Sequence, residues 1–169
     1  MNSLRLNIAL RFVVLLLAQV LIFNHIDLFG YINPYVYLLF IILYPANSNR
    51  IVFLILAFLL GLFVDMFSDS GGIHAAACVF AAYVRPVILK FSFGMLYEHQ
   101  NIKYSNAEFG SLLGYVSLLA IIHHFVLFAL EIFNMSQILL VLQKTLFSTI
   151  FTVILSILLL LLFTSKKKS

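Results

Sequence analysis

The stretch that decides the fold runs from Gly61 to Pro86 and reads GLFVDMFSDSGGIHAAACVFAAYVRP. It places an acid (Asp65), a histidine (His74) and an arginine (Arg85) within apolar sequence long enough to cross a bilayer twice. An ionisable side chain at the centre of a membrane helix costs roughly 2.5–3.5 kcal/mol on insertion scales. The segment therefore predicts either contacts that define the structure or a functional site.

The composition of the whole chain predicts a membrane protein. Of its 169 residues, 64% are hydrophobic and 9% are charged, whereas an ordinary soluble domain carries about 25% charge. A soluble protein of this length cannot hide so much apolar surface, so we expect an all-α, polytopic helical bundle. The sequence divides into a single transmembrane domain over residues 1–165 and a basic cytoplasmic tail over residues 166–169.

Six apolar segments are candidates for membrane helices. The second has ten residues between Pro34 and Pro45 and reaches only about 15 Å at 1.5 Å per residue. It either extends back through Phe29 and Tyr31 or forms a half-helix sheltered by protein. We favour six spans. Five spans with a re-entrant second segment is the alternative, and it would place the tail lysines outside. The six segments cover residues 6–23, 35–44, 51–67, 73–96, 109–133 and 138–163.

The distribution of basic residues predicts the orientation. The three loops predicted to lie outside, residues 24–34, 68–72 and 134–137, contain no Lys or Arg. Both termini are therefore expected in the cytoplasm. The basic residues are scattered near span ends and form no basic face, which argues against a nucleic-acid partner. Those expected on the cytoplasmic side are Arg5, Arg11, Arg50, Lys90, Lys103 and the three tail lysines.

Several polar residues are predicted to gather toward the outer leaflet. Asp65 closes the third helix, Glu131 lies in the last turn of the fifth, and Lys144 lies about two turns into the sixth. Buried charges persist by pairing, so we predict that Lys144 pairs with Asp65 or Glu131. A polar lock that fixes helix packing is the favoured role, and a proton or ion relay is the alternative.

The histidines are candidates for chemistry, but their context favours structure. His123 and His124 are adjacent in the fifth helix and point about 100° apart, so we expect no shared metal ion, with one histidine facing the bundle and the other a partner or lipid. His74 follows Gly71-Gly72, where glycine permits a tight turn. A catalytic pairing of His74 with Asp65 or Asp69 is conceivable. Without a nucleophile nearby, capping the fourth helix or holding the hairpin of the third and fourth helices is favoured, and no cofactor is predicted.

Small residues recur at helical spacing in three places. Such pairs, four positions apart, allow two membrane helices to approach closely. Packing within one bundle is a more economical explanation than a dimer interface. The pairs are Ala57 with Gly61, Ala77 with Ala81, and Gly110 with Gly114.

The ordered motifs GLxxD from Gly61, GxHAAA from Gly72 and YxRP from Tyr83 resemble the rod shape-determining protein MreD family. Further similarities are QVLIFNHI at the end of the first helix, FGYINPYVYLLF before and within the second segment, and the HH pair of the fifth helix. The resemblance covers nearly the whole chain. It carries over Gly61, Asp65, Gly72, His74 and Arg85 as the motif positions, with Pro86, and brings no catalytic role.

The resemblance implies a fold like that of the substrate-binding subunits of energy-coupling-factor vitamin transporters, with six helices and irregular early segments. It implies a non-enzymatic subunit of the cell-elongation machinery in the bacterial cytoplasmic membrane. Such a subunit binds MreC and supports lateral peptidoglycan synthesis by a SEDS glycosyltransferase and its penicillin-binding transpeptidase, alongside MreB. The alternative is a vitamin-binding transporter subunit, which would need a pocket with several convergent polar groups.

Overall fold

A computed structural model of the chain describes residues 2–26, 32–94 and 107–163. The predicted basic tail, Lys103, Phe29 and Tyr31 lie outside the described residues. Within these ranges, five α-helices are long and apolar enough to cross a membrane, and one further α-helix has only six residues. The α-helices are α1 (Asn2–Leu21), α2 (Leu38–Leu43), α3 (Arg50–Ser68), α4 (Ile73–Phe93), α5 (Phe109–Ile132) and α6 (Ile138–Phe163).

Side-chain contacts fix the direction of each helix. Asn24, just after α1, donates a hydrogen bond to Ser68 at the end of α3, with 2.9 Å between Nδ2 and Oγ. The two helices are therefore parallel and finish at the same end of the bundle, which we call the Ser68 end. The opposite end, where α3 begins, is the Arg50 end. Helices α3, α4, α5 and α6 pack successively against one another in antiparallel order, so α1 begins and α6 finishes at the Arg50 end.

The second crossing, residues 32–49, returns the chain from the Ser68 end to the Arg50 end. It runs antiparallel to α1, since Gln19 of α1 bonds to Val36 while Phe12, further back, packs on Phe40. Residues 32–35 can extend about 13 Å, and the turn and α2 over residues 36–43 add about 12 Å at 1.5 Å per residue. The sum is close to the roughly 28 Å length of the 19-residue α3.

The count of six membrane helices is therefore corrected to five long helices and one largely irregular crossing. The half-helix interpretation of the second segment is right, because α2 is short and surrounded by protein. The alternative of five spans with a re-entrant second segment differs from this path, because residues 32–49 pass from the Ser68 end to the Arg50 end. Both ends of the described chain consequently lie at the same end of the bundle.

The second crossing forms the centre of the hydrophobic core. All residues from Pro34 to Ile42 are buried, and Tyr37, Leu38, Ile41 and Ile42 are fully inaccessible. The long helices around it carry large apolar side chains on their exposed surfaces, as expected of a bundle surrounded by lipid. This arrangement places irregular backbone where the bilayer offers no water, so its polar groups need partners inside the protein.

Candidate functional site

Asp65 caps the helix that follows it. Its Oδ1 accepts hydrogen bonds from the backbone N–H of His74 (2.9 Å) and the hydroxyl of Ser70 (2.5 Å), and its Oδ2 accepts from the backbone N–H of Ala75 (2.8 Å). The first N–H groups of a helix have no partner within the helix, and Gly72 at the N-cap position has no side chain to supply one. The carboxylate also interacts favourably with the positive end of the α4 dipole.

The turn between α3 and α4 is built from left-handed backbone. Asp69, Gly71 and Gly72 have φ angles of 51°, 67° and 97°. Glycine adopts such angles without steric cost, which explains the glycine pair in the motif. The prediction that His74 caps the fourth helix is wrong for its side chain, because Asp65 supplies the cap and the His74 ring bonds to Tyr37. The Asp65 carboxylate bonds to the His74 backbone and not to its ring.

Gly61 allows α3 and α4 to touch. A Cβ atom added to Gly61 would lie 2.5 Å from Ala75 Cα and 2.5 Å from the carbonyl oxygen of His74. The other glycine pattern behaves differently: a Cβ at Gly110 or Gly114 would meet no atom within 4 Å among the described residues. The expectation of close packing is thus wrong for the Gly110–Gly114 pair within the described part of the chain, where no helix lies against these two glycines.

Tyr37 joins two histidines in the interior. Its hydroxyl oxygen lies 2.8 Å from His74 Nδ1 and 3.0 Å from His123 Nε2. A phenol hydroxyl has one proton to donate, so at most one of the two imidazoles accepts from Tyr37 and the other must donate to it. The tautomers of the two histidines are therefore coupled through one proton position.

His124 is engaged with α6 and not with lipid. Its Nδ1 lies 3.0 Å from Thr149 Oγ1, and its Nε2 lies 3.4 Å from Thr152 Oγ1. Both His123 and His124 are completely buried, so the prediction that one would face a partner or lipid is wrong. His123 bonds to Tyr37 of the second crossing, and His124 bonds to threonines of α6. Over the described ranges, no three His, Cys, Asp or Glu side chains are grouped as metal ligands.

Arg85 holds the carboxyl end of α2. Its Nε donates to the Tyr115 hydroxyl at 2.8 Å, and one terminal nitrogen donates to the carbonyl oxygens of Ile42 (3.2 Å) and Tyr44. The Tyr115 hydroxyl in turn donates to the Ile42 carbonyl at 3.0 Å. The guanidinium carbon lies 5.2 Å from the ring centroid of Phe53. The last carbonyls of α2 thus receive the donors that water would supply elsewhere. Pro86 follows within α4, which continues to Phe93.

The amino-terminal part of the second crossing is held by Gln19 and Thr152. Gln19 Oε1 accepts from the backbone N–H of Val36 at 2.8 Å, and Thr152 Oγ1 accepts from that of Tyr35 at 3.0 Å. Gln19 Nε2 donates to the Pro34 carbonyl at 3.3 Å. Helices α1, α4, α5 and α6 therefore all supply side-chain hydrogen bonds to the backbone of the second crossing.

Lys144 pairs with Glu131. Lys144 Nζ lies 2.8 Å from Glu131 Oε1, which confirms the predicted pairing for this one of the two acids. The ammonium also lies 5.2 Å from the ring centroid of Phe128. Asp65 takes no part, since its carboxylate is committed to α4. The polar residues predicted near the outer leaflet thus divide into separate contacts.

A cavity of about 730 Å³ opens at the Ser68 end. Polar side chains predominate in its lining, and His74 and Tyr35 form part of its wall, so it reaches the Tyr37 hydrogen-bond chain. The volume is sufficient for a small polar molecule. Its polar lining includes Asn24, His25, Ser68, Asp69, Ser70 and Glu131.

Sequence reasoning missed the aromatic and hydroxyl partners of the motif residues. Tyr37 and Tyr115 are fully buried, and each bonds to ionisable residues through its hydroxyl. Thr149 and Thr152 serve His124 in the same way. A usable signal was present for Tyr37, because a tyrosine inside an apolar run must find a partner for its hydroxyl. Which partner it finds depends on tertiary packing.

Comparison of the chain with protein-family models, with curated proteins and with solved structures gave no match. What the fold defines is a helical, multi-pass membrane bundle. The MreD resemblance rests on the sequence motifs and stays a prediction.

Proposed function

We propose that this protein is a non-enzymatic membrane subunit of the bacterial cell-elongation complex, of the MreD type, which binds MreC and supports lateral peptidoglycan synthesis. The observation that carries the proposal is the use made of the motif residues. Asp65 caps α4, Gly61 lets α3 touch α4, and Arg85 holds the end of α2. Motif residues that stabilise the packing of the bundle are consistent with a scaffold that presents its surfaces to partners.

The irregular second crossing also supports the proposal. The resemblance implies six crossings with irregular early segments, and a bundle with a short, buried α2 is compatible with that expectation. The positive-inside rule assigns the Arg50 end to the cytoplasm, because Arg5, Arg11, Arg50 and Lys90 lie toward it. The Ser68 end with its cavity then faces the periplasmic side, where a partner of the elongation complex would meet it.

The test combines cell shape with partner recovery. Depleting the protein from a rod-shaped bacterium that carries a single copy should give round cells, and the tagged protein should recover MreC from solubilised membranes. A Gly61→Ala variant should recover less MreC than a Gly114→Ala variant, because only the first disturbs α3 against α4. Normal rods after full depletion would refute the proposal.

The cavity favours a second candidate function, the substrate-binding subunit of a vitamin transporter. At about 730 Å³ with a mostly polar lining, it meets the requirement for a pocket with convergent polar groups. Mass spectrometry of small molecules extracted from the purified protein separates the two. A stoichiometric vitamin would favour the transporter subunit, and dependence of MreC abundance on this protein would favour the scaffold.

A further inference from the structure

A second cavity, distinct from the one at the Ser68 end, lies between α1, α2 and α6 toward the Arg50 end. It has a volume of about 400 Å³, and its described lining consists of leucines and one valine, with Arg11 as the one polar residue among them. Val14 comes from α1, Leu39 and Leu43 from α2, and Leu159 from α6. It exists because α1 packs mainly on α3 while α6 packs mainly on α5, which leaves a groove where α2 is the floor.

We propose that this groove binds an anionic phospholipid, with an acyl chain against the leucines and the phosphate at Arg11. A lipid in this groove requires only that the bundle lies in a membrane, so the site is independent of the function proposed above. Apolar groups make up the rest of the lining, and they match a hydrocarbon chain and offer nothing to a polar ligand.

The position of Arg11 calls for an anion. Arg11 lies six residues beyond Arg5, about 9 Å further along the axis of α1 and within apolar sequence. In the described ranges no carboxylate pairs with it. A cation at this depth is costly, and its side chain extends toward the interface to meet water or a headgroup. A phosphate drawn to Arg11 offsets that cost with a charge-assisted hydrogen bond.

The charge at this end of the bundle agrees with an anionic lipid. Arg5, Arg50 and Lys90 also lie toward the Arg50 end, and cytoplasmic leaflets carry the negative surface potential that attracts basic residues. These residues attract anionic lipid without selecting a site. Of these basic residues and Arg11, only Arg11 lines the groove, so Arg5 can serve as the control position.

The experiment reconstitutes the full chain in nanodiscs of equal phosphatidylglycerol and phosphatidylcholine and counts retained lipids by native mass spectrometry. The wild type should retain roughly fivefold more phosphatidylglycerol than phosphatidylcholine. This factor corresponds to the ~1 kcal/mol that one basic side chain gains near an anionic surface. Arg11→Gln should abolish the excess, while Arg5→Gln should keep most of it. No excess in the wild type, or equal losses in both variants, would overturn the proposal.

A second pair of variants tests the acyl-chain position. Val14 and Val13 are both exposed and adjacent on α1, but only Val14 lines the groove. Val14→Phe should fill the groove and lower retained phosphatidylglycerol severalfold, and Val13→Phe should not. Because both side chains are exposed, neither variant should unfold the protein, which slow labelling of buried Cys78 by a maleimide would verify. Unchanged retention in a folded Val14→Phe protein would place the lipid elsewhere.

Discussion

The backbone N–H of His74 donates to the carboxylate of Asp65 at 2.9 Å, while the imidazole of the same histidine bonds to the hydroxyl of Tyr37. His74 thus connects the α3–α4 hairpin with the second crossing. A shift of His74 in the hairpin is therefore expected to alter its hydrogen bond with Tyr37, which also bonds to His123 in the core.

Replacing Asp65 with Asn should destabilise the protein by about 1–3 kcal/mol, because the amide retains one acceptor for three donors and loses the charge at the start of α4. Asp69→Asn is the matched control, since Asn tolerates the left-handed backbone of Asp69. Thermal unfolding in detergent is followed by maleimide labelling of Cys78, the single cysteine, which is buried. Equal melting temperatures for both variants would show that the cap contributes nothing.

Replacing Gly61 with Ala should force α3 from α4, since the added Cβ would lie 2.5 Å from backbone atoms that cannot rotate away. Overpacking of this kind costs about 1–3 kcal/mol. Gly114→Ala should be neutral or slightly stabilising, because its site is open and alanine favours a helix. The same thiol-labelling assay compares the two. A Gly61→Ala protein as stable as the wild type would contradict the close approach.

Replacing Tyr37 with Phe should leave His74 Nδ1 and His123 Nε2 without their common partner. A buried polar group without a partner costs about 1–3 kcal/mol, so we expect a clear loss of stability. Tyr83→Phe serves as the control, because Tyr83 is exposed. Nitrogen-15 NMR of labelled histidine should also change for both rings together. A change confined to one ring would contradict the shared hydroxyl.

Replacing Arg85 with Lys should destabilise the end of α2 although the charge is kept. The guanidinium reaches Tyr115 and the carbonyls of Ile42 and Tyr44 at once, and a single ammonium cannot reproduce this fork. In a double-mutant cycle with Tyr115→Phe, we expect a coupling energy of about 0.5–3 kcal/mol. Arg50→Lys, at an exposed position, should change stability little. Strict additivity in the cycle would refute the network.

Reversing one charge of the Lys144–Glu131 pair should destabilise the protein, and reversing both should restore most of the loss. Glu131 is 43% exposed and Lys144 only 16%, so the attraction is partly screened and the coupling should be about 0.2–1 kcal/mol. Unfolding of the two single reversals and the double reversal supplies the cycle. A double reversal no more stable than the singles would mean that the ion pair does not couple α5 to α6.

The sequence predicts the long helices well, because their apolar runs have the length that a bilayer requires. The predicted 51–67, for example, is observed as Arg50–Ser68. The Lys144 pairing could also be predicted, since depth alone brings Glu131 close. These features depend on local composition or on position along the membrane normal.

The second crossing and the inward direction of both histidines could not be predicted in the same way. The backbone of Tyr35 finds its acceptor on Thr152, 117 residues later in the chain, and the carbonyl of Ile42 finds Arg85, 43 residues later. No local pattern marks such partners. The irregular backbone of the second crossing finds hydrogen-bond partners only when helices distant in sequence surround it.

The hydrogen bond between Tyr35 and Thr152 has a consequence for the order of biogenesis. A ribosome completes the second crossing long before it makes α6, so the Tyr35 N–H must wait for its acceptor until α6 has been made. The short α2 is also too small to be inserted as an independent span. The centre of this protein is therefore the last part to reach its final state, after the helices that enclose it are in the membrane.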